Sequence, residues 1–459
     1  MADLPRYLAR GERARLFPVL ADTSKEGRST SILLACLAHV REFGETMLGS
    51  VGQRVGKRAR IDTYTEIAFA TQQGGKSHRP DGLIVLAVGS REWRAFVETK
   101  VGNSELGEEQ ICSYLDLAKA HGIDAVITVS NQFTAAPDHH PIKVPTRARG
   151  KVGLYHWSWM FILTQADLLV SNQDIEDEDQ HFILNEMIRF LTHASAGVKG
   201  FDSMPAAWSE VVQKVAAGAP LQAKSEEVQE VVGAWHQEVR DLTLILSRQI
   251  GVPVDTKLSR AHAADPSARL RAEAAQLADT HLLGATLAVP DAAAPIDVTV
   301  DLSKRTISVS MMLRAPTDKK SAKARLNWLL RQLPKAPDTD LHIRLHWPGR
   351  TPHTQHPLSE LRENPDLASH GNPDRQPHSL EVCLIIQLGG RFGQRKNFIA
   401  DLEHLTPAFY ETVGQHLKAY QAPAPRVRED RSEPESVARE GLQEAAEQRP
   451  HEEEGAGSD

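Results

Sequence analysis

The spacing of hydrophobic positions changes character along this chain, and each change predicts a new kind of element. Ile32, Leu33, Cys36, Leu37, Val40, Phe43 and Met47 recur at helical intervals and predict a helix over 31–48, with Ser29 or Thr30 placed to cap it. Residues 61–70 predict a strand. Leu83 to Val88 and Trp93 to Lys100 predict two more, joined by a turn at Gly89-Ser90-Arg91-Glu92. A helix over about 105–120 follows, then strand-like runs at 124–130 and 154–157, and a helix that starts near Ser158. Residues 174–200 read as helical with an acidic start, which suits a helix N-terminus.

Beyond residue 200 the pattern differs. Val228, Val231, Trp235, Val239, Leu242 and Ile245 form an apolar stripe on a helical connector over about 205–250. From about 280 onward, strand-like runs at 282–289, 296–302, 306–313, 341–347 and 380–388 are interleaved with a helix over 318–333 capped by Thr317. A last helix over 398–420 breaks or restarts near Pro407. The fold class expected is α/β, divided into a first domain over 1–200, a helical connector over 201–279, an α+β domain over 280–421 and a tail over 422–459. The tail is rich in Pro, Glu, Ala and Arg and is expected to stay disordered.

Composition alters this picture in a few places. The chain has 459 residues, 41% hydrophobic and 25% charged, in keeping with a globular protein of more than one domain. No apolar run is long enough to span a bilayer, and the first residues lack the apolar core of a secretory signal, so no membrane partner is expected. Cys36, Cys112 and Cys383 are far apart and read as reduced thiols of a cytoplasmic protein. The net charge of −7 is concentrated in the tail, where 11 acidic and 5 basic residues follow Gln421. The body is therefore close to neutral, and local basic patches decide whether it meets a polyanion.

The candidate chemistry lies at the ends of the two central strands. With residues 89–92 as the hairpin tip, position 81 lies opposite position 100, and Asp81, Glu98 and Lys100 share one face at one end. A one-residue slip would turn Asp81 to the other face. Two carboxylates and an ammonium gathered there suit a divalent cation and an activated water.

Pro80-Asp81 followed by Glu98-Thr99-Lys100 resembles the signature of the PD-(D/E)XK, or restriction-endonuclease-like, nuclease superfamily. Gln110 and Tyr114 on the next helix match a Gln-xxx-Tyr element of some members, and the resemblance covers roughly the first 165 residues. It implies an α-β-β-β-α-β core with a mixed central sheet. It also implies Mg²⁺ or Mn²⁺ bound by Asp81, Glu98 and the backbone carbonyl of Thr99, with Lys100 holding the attacking water. A further acidic ligand is usual, and Glu66 is favoured over Glu42 or Glu45, because a neighbouring strand can aim at the same place. Gln110 and Tyr114 either orient substrate or the carboxylates, or satisfy buried polar groups beside the site. The activity implied is hydrolysis of phosphodiester bonds, taken as DNA, in defence against foreign DNA or in repair. The alternative is a non-catalytic module that binds nucleic acid or protein on the same fold.

Other basic groups are candidates for phosphate contacts: Arg54, Lys57, Arg58 and Arg60, then Lys143, Arg147, Arg149 and Lys151, then Lys319, Lys320, Lys323 and Arg325. Asn103 and Ser104 are expected to cap the helix that follows them. His139-His140 and His346, His353 and His356 lie in loop or Pro-rich contexts and are given no metal. The connector, the second domain and the tail are the surfaces expected to take a second copy of the chain or another protein.

Overall fold

The computed structural model describes Pro5, residues 7–18, 24–69 and 79–422, and Ala424. Met1–Tyr420 form one compact unit. The expectation for the tail beyond Ala424 and that for Ala70 lie outside the described residues.

The first sheet has six strands in sequential order: β1 (Leu8–Arg13), β2 (Arg60–Phe69), β3 (Gly82–Val88), β4 (Arg91–Thr99), β5 (Ala125–Ser130) and β6 (Gly153–Ser158). β1 to β4 run antiparallel, while β4, β5 and β6 are parallel, so the sheet is mixed. Helices α1 (Lys25–His39), α2 (Arg41–Gly49), α3 (Glu108–His121), α4 (Thr146–Arg149), α5 (Trp159–Ser171) and α6 (Glu178–Thr192) complete this half. From α1 to β5 the order is α, α, β, β, β, α, β.

The run Leu83 to Leu86 is apolar throughout because both faces of the sheet are covered. Ile84, Leu86, Val97, Ile127 and Val129 pack with residues of α1, α2, α5 and α6. Leu83, Val85, Phe96 and Val126 pack with Ile111 and Leu115 of α3 on the other side. Each fully buried Leu, Ile or Val in these layers contributes about 1.5–3 kcal/mol relative to exposure.

The remainder begins with α7 (Ala206–Ala216) and α8 (Glu226–Ile250), followed by β7 (Asp255–Thr256), α9 (Arg260–Ala264) and α10 (Pro266–Thr280). β8 (Leu282–Ala288), β9 (Ile296–Asp301), β10 (Thr306–Arg314), α11 (Ala322–Leu330), β11 (Leu341–His346) and β12 (Thr354–Pro357) come next. The chain closes with α12 (Leu358–Glu363), β13 (Ser379–Gln387) and α13 (Arg395–Thr412). The seven strands form a second sheet, antiparallel throughout, in the order β12-β11-β13-β10-β9-β8-β7.

Several boundaries differ from expectation. The helix read over 31–48 is two helices, because Val40 is extended (ψ 104°). α1 also starts at Lys25, so Ser29 and Thr30 are buried inside it and cap nothing; Thr30 Oγ1 donates to Glu26 O at 2.8 Å. α3 is entered through Gly107, and Asn103 instead accepts from Lys199 Nζ at 3.1 Å. α11 is capped by Ser321, four residues after Thr317, through Ala324 N at 3.1 Å. α13 runs unbroken through Pro407. β1 was not foreseen, because its sequence Leu-Ala-Arg-Gly-Glu-Arg alternates weakly.

The connector is not a separate body. Val228, Val231, Trp235, Val239 and Leu242 join a single buried core that runs from Met204 to Leu417 and includes the inner face of the second sheet. Trp235 Nε1 donates to Gly284 O of β8 at 3.2 Å, which fixes α8 on that sheet. No described helix is long and apolar enough to cross a membrane.

Candidate active site

The hairpin register differs from expectation by two residues. Val88 pairs with Arg91, so the tip is Gly89-Ser90 alone, with Gly89 at φ 62° in the position a two-residue loop reserves for glycine. Gly82 pairs with Val97, which brings position 81 level with Glu98 and not with Lys100. A two-residue shift preserves the face of every side chain. The gathering therefore survives the altered register.

Backbone constraints hold the strand end in place. At Gly82 a Cβ would collide with Leu34 Cδ1 of α1 and come within 3.1 Å of Tyr64 O, so any side chain there would push Leu34 aside and crowd β2. The amide of Lys100 donates to Val129 O at 2.8 Å, and its carbonyl accepts from the buried Trp159 Nε1 at 2.8 Å.

The side chains then converge. Asp81 Oδ2 accepts from the amide of Thr99 at 2.8 Å and from its hydroxyl at 3.0 Å. The Thr99 hydroxyl lies 2.5 Å from that of Thr30 on α1. Glu98 is buried; its Oε1 accepts from Lys100 Nζ at 2.7 Å and from Gln110 Nε2 at 2.6 Å. Glu98 Oε2 accepts from the hydroxyl of Tyr114 at 2.8 Å. Gln110 and Tyr114 thus act on the carboxylate from α3, and Gln110 Nε2 lies 2.9 Å from Tyr114 Oη. Tyr114 is itself buried, which makes it a holder of Glu98 and not a surface contact for nucleic acid.

Electrostatics follow from this crowding. Burial, then the charge of Glu98, pushes Asp81 up to about 7, against the opposing pull of the Thr99 amide and Lys100. Burial favours the neutral form of Lys100, but its hydrogen bond to Glu98 and the nearby carboxylates outweigh that and raise its pKa. Lys100 is therefore an ammonium. Burial and Glu98 likewise push the Tyr114 hydroxyl up, so it remains a donor.

One acidic residue at the site was missed. Glu26, in the first turn of α1, has Oε2 3.6 Å from Lys100 Nζ. Ser24 preceding an acidic first turn was the available sign of an earlier helix start. Glu66, the favoured extra ligand, is placed differently. It sits at a bulge with φ 52°, half-exposed, and its carboxylate meets Arg10 at 3.2 Å. The bulge is visible as a register shift between β1 and β2, and it turns the side chain outward. Glu66 joins neither Glu98 nor Lys100, although it lines with Asp81, Glu26, Arg13 and Arg79 a cleft of about 680 Å³. Glu42 is half-buried on α2, and Glu45 pairs with Arg41 at 2.9 Å on the same helix.

The basic group Arg54, Lys57, Arg58 and Arg60 is exposed but sits at the far end of the strands. Arg60 pairs with Ala87, five residues along β3 from Gly82, or roughly 17 Å. Arg60 also binds Asp62 at 2.7 Å. Lys143 belongs to a different cleft, of about 660 Å³, shared with His139, His140 and His236. His140 is pushed down to about 4 by burial and accepts or donates at Thr128 Oγ1 over 2.9 Å, a structural arrangement.

Among the described residues no three His, Cys, Asp or Glu side chains stand ready-grouped around a metal position. The donor set nevertheless fits a hard cation. Among the described residues Asp81 Oδ1 is in no hydrogen bond and Glu98 Oε2 accepts one donor, so each carboxylate keeps an acceptor site. The repulsion that raises Asp81 is what a divalent ion would relieve. Compared with protein-family models, with curated proteins and with solved structures, the chain matches none of them.

Proposed function

We propose that this chain is a metal-dependent nuclease that hydrolyses phosphodiester bonds in DNA, built on the PD-(D/E)XK pattern. The observation that carries the reading is the meeting of Asp81, Glu98 and Lys100 at one strand end, with Gln110 and Tyr114 bound to Glu98. In this reading Asp81, Glu98 and the Thr99 carbonyl hold Mg²⁺ or Mn²⁺. Once bound, the ion neutralises phosphate charge and makes water more acidic.

The chain's own residues do the rest. Lys100, kept as an ammonium by Glu98, orients the attacking water and donates to charge that develops on the phosphate. Gln110 and Tyr114 fix the Glu98 rotamer, so its free acceptor site does not wander. Asp81 is positioned by two donors from Thr99 and must lose its proton before it can serve. A role in defence or repair is the setting that the resemblance implies.

The test is incubation of the purified chain with plasmid, linear duplex, single-stranded DNA and RNA, with Mg²⁺, Mn²⁺ or EDTA, beside Lys100→Ala. Cleavage that needs metal and is lost in the variant supports the nuclease. Binding without cleavage on any substrate favours instead a module that keeps the site for recognition alone.

A further inference from the structure

A third cleft, of about 1180 Å³, is built by loops of the C-terminal sheet and lined by Arg325, Arg350, Arg375, Gln376, His378 and Asp374. Its guanidinium groups come from three distant segments. Arg325 is on α11, Arg350 follows β11, and Arg375 precedes β13. None of the three is in an ion pair with a described residue. Arg325 is buried, yet Nε bonds Lys319 O at 3.0 Å, one terminal nitrogen bonds Pro377 O at 2.6 Å and the other bonds Gln376 Oε1 at 2.9 Å. All three acceptors are neutral, and Asp318, whose charge reaches Arg325, is ion-paired with Lys319 instead. Arg375 gives a hydrogen to the Thr351 hydroxyl, again neutral. Arg350 makes no ion pair or hydrogen bond with a described residue, and Gln376 Nε2 is held by the Lys320 carbonyl at 2.6 Å.

The cleft beside Asp81 provides the contrast. There Arg10, Arg13 and Arg15 are matched by Glu66, Asp62 and Glu12 at 3.2, 3.1 and 3.6 Å. In the C-terminal cleft Asp374 is the one acidic residue in the lining. We infer that the C-terminal cleft is an anion-binding surface that takes the phosphate backbone of an extended nucleic-acid strand.

Shape favours a strand over a small anion. Small-ligand sites enclose most of their ligand, whereas this cleft is open and its cations are spread over three loops. Spread guanidinium groups suit successive phosphates, each contact releasing counterions. Glycine and proline at Pro348, Gly349, Pro352, Gly371 and Pro373 keep side-chain bulk off the loop backbones. The choice of nucleic acid as the polyanion rests on the nuclease reading. The binding itself does not involve Asp81, Glu98 or Lys100.

The experiment uses the full-length chain in EDTA, so that binding is read with cleavage switched off. Fluorescein-labelled single-stranded and duplex DNA are titrated by anisotropy over a salt series. Arg350→Ala/Arg375→Ala should weaken binding about tenfold or more and lower the slope of log Kd against log salt by about 2. An equally exposed control, Arg54→Ala/Lys57→Ala, should change neither as much. Unchanged affinity and slope in the cleft variant would overturn the inference, as would the absence of DNA binding by the wild-type chain. Tight binding of inorganic phosphate at the cleft, with no oligonucleotide bound, overturns the strand in favour of a small anion. Because this titration in EDTA reads binding alone, failure of the nuclease reading shows elsewhere, as no metal-dependent product in the cleavage assay, and leaves the binding results unchanged.

Discussion

Two groups of crowded carboxylates lie in this molecule, and their surroundings part them. At the end of β4, Asp81 and Glu98 meet an ammonium, an amide, a phenol and a threonine, so most carboxylate oxygens have a donor. Between α8 and α13, Glu238, Asp241 and Glu403 have far less. Both oxygens of Glu238 and Oδ1 of Asp241 are buried without a hydrogen-bond partner, and Asp241 Oδ2 takes the amide of Phe201 at 2.6 Å. Burial raises the pKa of acids in both places: Asp81 to about 7, Glu403 to about 7 and Glu238 well above its ordinary value. Neighbouring carboxylates add to that burial in both places. What differs is the convergence of donors and a lysine at a strand end beside a cleft. The first group is bonded directly by a lysine and several donors, whereas in the second Arg240 and Arg248 lie near Asp241 but burial still outweighs them.

The sharpest way to break this comparison is to remove one acid from each group. Asp81→Ala should reduce DNA cleavage by on the order of 10³ or more, since a charge-bearing ligand is lost. Glu238→Gln, a neutral isostere in the helical core, should leave the cleavage rate within about twofold. Initial rates of plasmid nicking at saturating Mg²⁺ measure both. Equal losses in the two variants would show that the carboxylates at β4 are structural.

A smaller effect sharpens the electrostatic half. Asp81 must deprotonate to accept a metal, and its pKa is raised to about 7 by burial and Glu98. Apparent affinity for Mn²⁺ should thus rise about tenfold per pH unit below 7 and level off above it. Calorimetric titration from pH 5.5 to 8.5 reads this directly. A flat profile would mean that Asp81 is already ionised or takes no part.

The second group makes its own prediction, in stability. Glu238 has a folded pKa well above its unfolded value, so between those values the folded state binds more protons. Its contribution is present at low pH and is lost as pH rises through the folded pKa. Wild-type stability should then fall from pH 5 to 8 by on the order of 1 kcal/mol per pH unit over part of that range. Glu238→Gln should flatten the decline, as followed by Tm or urea midpoint across the series.

These contrasts also show what the sequence could carry. Face parity was legible, because alternation along β3 and β4 survives any even shift of register: Lys100 bonds Glu98, and both charges act on Asp81. The register itself was not, since a tip of two residues and a tip of four leave the same polar stretch at 89–92. Helix starts were blurred for a related reason. Ser29 and Thr30 resemble caps, yet here both are buried within α1, and the Thr30 hydroxyl meets that of Thr99 on the sheet. The bulge at Glu66 leaves no trace in Thr-Glu-Ile, because positive φ is imposed by pairing with β1. Burial of the connector was partly legible: its stripe was evident, but its partner, the second sheet, is joined to it only by long-range packing.

The smallest predicted effect concerns the two acids that compete for a place beside the site. Glu26 approaches Lys100 to 3.6 Å, and Glu66 is tied outward to Arg10 at 3.2 Å across a half-exposed pair. A surface pair of that kind is worth about 0–1 kcal/mol. Glu66→Gln should leave cleavage within about twofold and stability within about 1 kcal/mol. Glu26→Gln should lower the rate about three- to tenfold, because one carboxylate near the Lys100 ammonium is neutralised while Glu98 remains. Parallel nicking rates of the two variants decide between them. A larger loss for Glu66→Gln would mean that the outward pair with Arg10 opens in the working enzyme, and that the sequence had chosen the right strand after all.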